Sequence, residues 1–297
     1  MSATLASLRR KISGAGDLKS VVRSMKALAA SSIGQYQKSV LALADYDRTV
    51  ELGLTACLRQ KRNPSDPPAI PSMAAKSITA IVFGSDQGLV GQFNDVLAET
   101  VAKTLKPLPQ EKKVWAVGDR VRDRLVDNRL IPVGVFSVPT SVSGITPLVG
   151  QILVDGGPKN DSSETIQLYL FHNRPTAGAS YEPICQHLLP LDAHWELRLA
   201  KLPWPTKNPP EIIGNHEQTL RAFIREFLFV SLYKSCAESL AAENASRLAA
   251  MQRAEKNIDD LVGTLNQTFH RLRQTSIDQE LFDVLSGYES TSSGKTS

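Results

Sequence analysis

Apolar residues at the N-terminus recur at alternating steps of three and four. Leu5, Leu8, Ile12, Ala15, Lys19, Val22, Lys26, Ala29, Ile33, Tyr36, Val40, Leu43, Asp47, Val50 and Leu54 form one such series, and twelve of the fifteen are apolar. A sustained 3.5-residue period is the signature of a helix with a continuous seam for a partner helix. Gly14 and Gly16 weaken it locally, at about 1 kcal/mol each. The pattern predicts a single helix over residues 1–62, closed by the prolines of "KRNPSDPPAIP". At about 1.5 Å per residue it would form a rod on the order of 80 Å long.

The other end of the chain has the same character. From near Glu217 to about Gly287 no proline interrupts a helical pattern. Phe223, Phe227 and Val230 open its apolar face, and Ile258, Val262, Leu265, Phe269 and Leu272 continue it. Between them "CAESLAAENASRLAAMQRA" is dominated by alanine, which favours helix and lets a second helix come close. Each helix alone would expose its seam, so the two are expected to cover each other as an antiparallel pair. Residues 288–297 read as a flexible tail.

The middle, residues 76–205, changes period. "SITAIVF", "KVWAVG" and "IPVGVF" read as strands, and "QFNDVLAETVAKTL" and "DRVRDRLV" as helices. That alternation predicts a small parallel α/β sheet. "TIQLYLFHN" and "SYEPICQHLLPL" follow as an antiparallel hairpin. The predicted architecture is therefore α/β: a long antiparallel coiled coil of the terminal helices (1–62 and 214–287) with a small Rossmann-like domain inserted.

"GSDQGLVGQF" (84–93) joins the first strand to its helix, where a dinucleotide-binding loop would sit. Its glycines are spaced GxxxGxxG, however, and Asp86 sets a carboxylate where a pyrophosphate would lie. Asp119, after the second strand, stands where a ribose-binding acid belongs, but it is equally placed as a helix cap. The terminal "SSGKTS" lacks the first glycine of a phosphate loop and has no helix after it, and Lys159 after Gly156 and Gly157 has no strand–loop–helix frame. No catalytic, cofactor-binding or metal-ligating constellation emerges.

Composition adds a few limits. The chain has 297 residues, 42% hydrophobic and 22% charged, with no uninterrupted apolar run long enough to span a membrane. Three scattered cysteines point to a reducing compartment. The N-terminus is rich in Ser and Arg, as transit peptides are, but the unbroken seam favours a mature basic helix. Residues 1–62 carry eleven basic and four acidic side chains, residues 214–297 nine and eleven. The basic arm suits an acidic partner. It lacks the interleaved aromatics of a nucleic-acid surface.

Three segments carry a family resemblance. "SMKALAAS" (24–31) is similar to the AMKMVAAS segment of the gamma subunits of F-type ATP synthases, and "GSDQGLVGQFN" (84–94) to their S-D-x-G-L-C-G-x-x-N segment. "SRLAAMQRAEKN" and "RQTSIDQELFDVLSG" are similar to their ARMxAMxxAxxN and ARQAxITxELxEIxxGA segments. The order is kept along the whole chain. Val90 for cysteine, Ser32 for lysine, His270 for asparagine, Asp278 for threonine and the stretch "GAGDLKSVVR" are departures. They suggest a divergent branch, such as the gamma-type subunit of an alternative, sodium-driven complex.

The resemblance implies a noncatalytic rotor shaft without cofactor or direct nucleotide binding. Its implied partners are the alpha and beta subunits of the catalytic ring, the epsilon subunit and the membrane c-ring, and not nucleic acid. It implies ring contacts at Met25, Lys26, Arg273, Gln274, Asp278 and Glu280. The helix beginning almost at Met1 suggests a prokaryotic member, peripheral on the cytoplasmic face of the inner membrane. On residues alone, a stand-alone coiled-coil protein with an inserted domain and a nucleotide-dependent oxidoreductase remain alternatives.

Overall fold

A computed structural model describes residues 4–61, 77–156, 166–176, 180–190, 204–208 and 210–293. The proline-rich stretch after the first helical arm lies outside them. Contacts divide the chain into two units, residues 1–28 with 249–297 and residues 29–248.

The helices are α1 (Leu5–Ala42), α2 (Ala44–Lys61), α3 (Phe93–Leu105), α4 (Asp119–Asp127), α5 (Ile145–Asp155) and α6 (His216–Ser293). The strands are β1 (Ser77–Phe83), β2 (Glu111–Val117), β3 (Gly134–Phe136), β4 (Ile166–Pro175) and β5 (Tyr181–Leu189). The first helical arm is broken, not continuous as its periodicity predicts. Leu43 donates to Val40 at 3.2 Å in a tightened turn, and a new helix starts behind it with Asp45 and Asp47 in its first turn. Carboxylates there favour a helix N-terminus electrostatically. α6 continues to Ser293, past Gly287 where a tail was expected, because neither proline nor a second glycine intervenes before that residue. Its start is capped by Asn215, whose Oδ1 accepts from the amides of Glu217 (2.9 Å) and Gln218 (3.2 Å).

In the second unit the sheet order is β3-β2-β1-β4-β5, parallel except for the β4–β5 hairpin. β1 is buried at all seven positions because both of its faces are covered. Ile78, Ala80 and Val82 pack against Leu97, Val101 and Leu105 of α3 and Val121 and Leu125 of α4. Ile81 and Phe83 point to the other face, in a cluster with Leu148, Val149 and Ile152 of α5, Leu54 of α2, and Leu228, Leu232 and Leu240 of α6. α5 has no counterpart in the sequence expectations.

In the first unit, α1 and α6 lie antiparallel. Lys19 pairs with Asp259, and Arg23 Nε and Lys26 Nζ reach the two carboxylate oxygens of Glu255 at 2.8 and 2.6 Å. Arg9 lies over the Phe269 ring, 5.8 Å from its centroid. Every predicted seam position, from Leu5 to Leu54, is buried or half-buried.

Candidate functional site

The glycine loop decides whether this domain can hold a nucleotide. Asp86 Oδ1 accepts from the Asp119 amide at 3.0 Å, and its Oδ2 from the Val138 amide at 2.9 Å. The carboxylate therefore satisfies the amides at the start of α4 and after β3 that a phosphate would need. Ser85 and Asn94 close the loop from inside. Asn94 Oδ1 accepts from the Ser85 amide at 3.1 Å, and Asn94 Nδ2 donates to Ser85 Oγ at 2.8 Å. Two glycines are required by close approach. A Cβ on Gly84 would stand 2.3 Å from Val121 Cβ. Gly118 has φ of +116° and would meet the Ser85 carbonyl. Asp119 pairs with Arg122 at 2.9 Å within its own helix. The loop is a self-satisfied turn.

A doubly wound sheet offers its ligand crevice at the carboxyl ends of the strands where the winding reverses. Here that point lies between β1 and β4, and the chain fills it with its own α6. Ser239 Oγ donates to the Phe83 carbonyl at the end of β1 (3.0 Å). Glu238 Oε2 lies 2.8 Å from His172 Nε2 and 3.1 Å from Arg174 Nε, both on β4. Farther along α6, Ser246 Oγ donates to the Val90 carbonyl at 2.6 Å, and Val90 packs with Phe93 and Ala242. Asn173 Nδ2 ties β4 to the Phe93 carbonyl at 2.9 Å. The helix thus occupies the crevice, with the Glu238 carboxylate against His172 and Arg174.

Burial holds His172 below its usual pKa, against the opposing pull of Glu238, so the ring is neutral. A neutral imidazole bonded to a carboxylate donates through Nε2, which leaves Nδ1 as an acceptor without a partner among the described residues. Burial alone would raise Glu238, but the hydrogen bonds from His172 and Arg174 outweigh it and hold the carboxyl below the ordinary range. Glu243, buried on the same helix, is pushed up by desolvation although Arg247 bonds it at 2.5 Å. In the first unit, the bonds from Arg23 and Lys26 bring Glu255 down to about 2.

The six residues assigned by resemblance fall into two settings. Met25 and Lys26 are half-buried on α1, with Lys26 engaged by Glu255. Arg273, Gln274, Asp278 and Glu280 are exposed on α6 and make no hydrogen bond or ion pair among the described residues. Near them Ile277, Leu281, Phe282, Val284 and Leu285 are exposed as well. The crevice contacts of His172, Arg174, Glu238, Ser239 and Ser246 were not anticipated. Their signal was present: a histidine directly after the apolar run Leu168–Phe171, and Ser239, Glu243 and Ser246 at helical spacing in an alanine-rich run.

Among the described residues no cluster of His, Cys, Asp and Glu could hold a metal, and no helix is long and apolar enough to cross a membrane. Cys57, Cys185 and Cys236 are free thiols.

Comparison with known proteins completes the picture. The chain is 24% identical to the ATP synthase gamma chain of Syntrophus aciditrophicus over 301 residues, spanning 98% of this chain and 100% of the relative. It is 27% identical to that of Granulibacter bethesdensis over 311 residues, 97% of this chain and 99% of the relative. Its fold matches a chain in a structure of the Euglena gracilis mitochondrial ATP synthase (OSCP/F1/c-ring) with a TM-score of 0.61 at 13% identity. That match covers 99% of this chain and 96% of the other. The family model for ATP synthase matches residues 4–291, nearly the whole chain. With its helical arms, its inserted α/β domain and a match to the family model over nearly its whole length, the chain belongs to the ATP synthase gamma-chain family.

Proposed function

We infer that this chain is the central-stalk rotor subunit of an F-type ATP synthase. The paired terminal helices stand inside a ring of alpha and beta subunits, and the α/β region meets the epsilon subunit and the membrane c-ring. Ion flow turns the shaft. Its asymmetric surface then favours a different state of each catalytic site in turn, a population shift driven by differential contacts. The chain supplies no catalytic group and binds no nucleotide, a reading supported by the crevice that α6 already fills. It works as a peripheral subunit at the cytoplasmic face of a prokaryotic inner membrane. Identities of 24% and 27% to these relatives support a divergent branch.

One observation carries the reading beyond family membership. The end of α6 exposes Ile277, Leu281, Phe282, Val284 and Leu285 beside Arg273, Gln274, Asp278 and Glu280. A helix end that is apolar yet uncovered, with polar groups that make no bond among the described residues, suits insertion into a sleeve formed by other subunits. Arg273 presents a fork of donors to ring carboxylates or carbonyls, and Gln274 can donate and accept. Met25 and Lys26 form the second contact, Lys26 holding Glu255 while its side chain stays 37% exposed.

The test is to express the chain with its alpha and beta subunits. A single copy should purify within a three-fold ring. Replacing Arg273 and Gln274 by alanine should lower steady-state ATPase and synthesis rates by at least about tenfold, because a charge-assisted bond is worth about 1.5–3 kcal/mol. Rates within about twofold of wild type would remove these residues from the interface. Failure of the chain to co-purify with the ring would remove the rotor reading itself.

A further inference from the structure

A rotor has to carry force between its globular part and its helices, and apolar packing alone resists sliding poorly because it has no preferred direction. The contacts in the switch-point crevice are directional. Glu238 projects from α6 and is bonded from one side by His172 and Arg174, two residues apart on β4. His172 is fully buried and the Glu238 side chain is 13% exposed, so water competes weakly for the bond between them, while Arg174, 40% exposed, closes its outer side. Ser239, the next residue, holds the end of β1. Ser246, two helical turns on, holds the glycine loop through Val90. β1 and β4 are neighbours in the sheet, with Phe83 paired to His172. One short stretch of α6 is therefore fixed to adjacent strands and to the loop between β1 and α3.

We propose that Glu238, held by His172 and Arg174, is the positioning residue that locks α6 to the α/β region, so that load on the region reaches the helix without slip. The glycine loop is the second point of this lock, and its compact self-bonded form exists to present the Val90 carbonyl to Ser246. The proposal rests on the rotor reading and adds where within the chain the force is transferred. Charge carries the lock. Glutamine at position 238 keeps the shape and an accepting oxygen but removes the negative charge from both bonds: the His172 bond becomes neutral, and the Arg174 bond keeps only the charge of its donor.

Two measurements test the lock separately from the rotor reading. In the full-length chain by itself, Glu238→Gln should speed amide exchange along α6 near residues 235–246 by about tenfold, the expectation for one lost charge-assisted bond. Arg174→Gln, made at a partly exposed side chain that folding tolerates, should do the same, and Arg174→Lys should recover most of the protection. Unchanged exchange in both Gln variants would overturn the proposal whatever the chain's partners. In the assembled complex, Glu238→Gln should leave unloaded ATP hydrolysis within about twofold of wild type. The ion gradient that hydrolysis sustains should fall, with Arg174→Lys again closer to wild type than Arg174→Gln. A full gradient in both Gln variants contradicts the lock, as does a parallel loss of hydrolysis and gradient, which marks a purely structural role. A wild-type chain that drives no pumping in any complex would sink the rotor reading instead, and the exchange measurement would still judge the lock.

Discussion

The same helix, α6, is held in two different ways. In residues 249–269 its partners on α1 are Lys19, Arg23, Lys26 and Arg9, through ion pairs whose cationic side chains are 26%, 60% and 37% exposed for Lys19, Arg23 and Lys26, and through one cation–ring contact. In residues 227–246 it lies in a buried cluster, bonded at Ser239 and Ser246 to buried carbonyls and at Glu238 to the buried His172 and the part-exposed Arg174. Exposed pairs are weak, screened by salt and quick to rearrange. Buried bonds combined with apolar packing are strong because a broken one leaves an unsatisfied group in a dry place. The difference teaches which part of the helix can yield and which must hold. A shaft surface that changes neighbours has reason to be wet, and a joint has reason to be dry.

The widest gap should appear on cutting side chains. Leu170 is fully buried in the second unit, and Leu170→Ala should cost about 3 kcal/mol in denaturant unfolding. Leu18, 61% exposed in the first unit, should lose no more than about 0.5 kcal/mol on the same change. Comparable losses at both sites would erase the distinction between the regions.

Next in size is Asp86→Asn. An amide oxygen can serve only one of the Asp119 and Val138 amides, so stability should fall by about 1–2 kcal/mol. Calorimetric titration of the wild-type chain with ATP or NAD should give no saturable heat, and a micromolar site would reopen the nucleotide reading of the loop.

How much of this was legible in the sequence follows from the range of each interaction. The seam was readable because helical periodicity is local. Its three polar members gave no warning of their use: Lys19 meets Asp259, Lys26 meets Glu255, and Asp47 lies 3.7 Å from Lys234. β1 and the α/β alternation were readable from "SITAIVF" and its turns. α5 was not, since Ile145, Thr146, Val149 and Ile152 are β-branched and Pro147 interrupts the pattern. The break at Leu43 involves neither proline nor glycine. The lock joins residues 66 and 64 positions apart, and nothing local in the chain pairs His172 or Arg174 with Glu238.

Acid should separate the regions more finely. Because burial lowers His172, the unfolded chain takes up a proton near pH 6.5 that the folded chain refuses. This contribution is fully present above that value and is lost as pH falls. Glu238, also lowered, gives stability above the ordinary carboxylate range that disappears on further acidification. Glu243, raised by burial, works in the opposite sense, so the clean comparison is with His172→Gln. Between about pH 7 and about pH 5.5, wild type should lose stability relative to that variant. Equal slopes would mean that His172 is not held neutral. The first unit should not respond in this window, because Glu255, at about 2, keeps its charge until far lower pH.

The smallest effect belongs to that ion pair. Glu255→Gln should lower the unfolding midpoint slightly at low ionic strength and have no measurable effect in high salt. A loss that persists in high salt would place the pair in a drier setting than its geometry gives.

The central claim is that this chain is a rotor whose helix α6 is locked to its α/β region at Glu238. The direct measurement fixes the ring to a surface, attaches a probe to the α/β region and supplies ATP. Unidirectional stepping of the probe with three-fold periodicity, lost on Glu238→Gln under viscous load while hydrolysis continues, is the predicted result. A probe that stays still while the wild-type complex hydrolyses ATP would contradict the account.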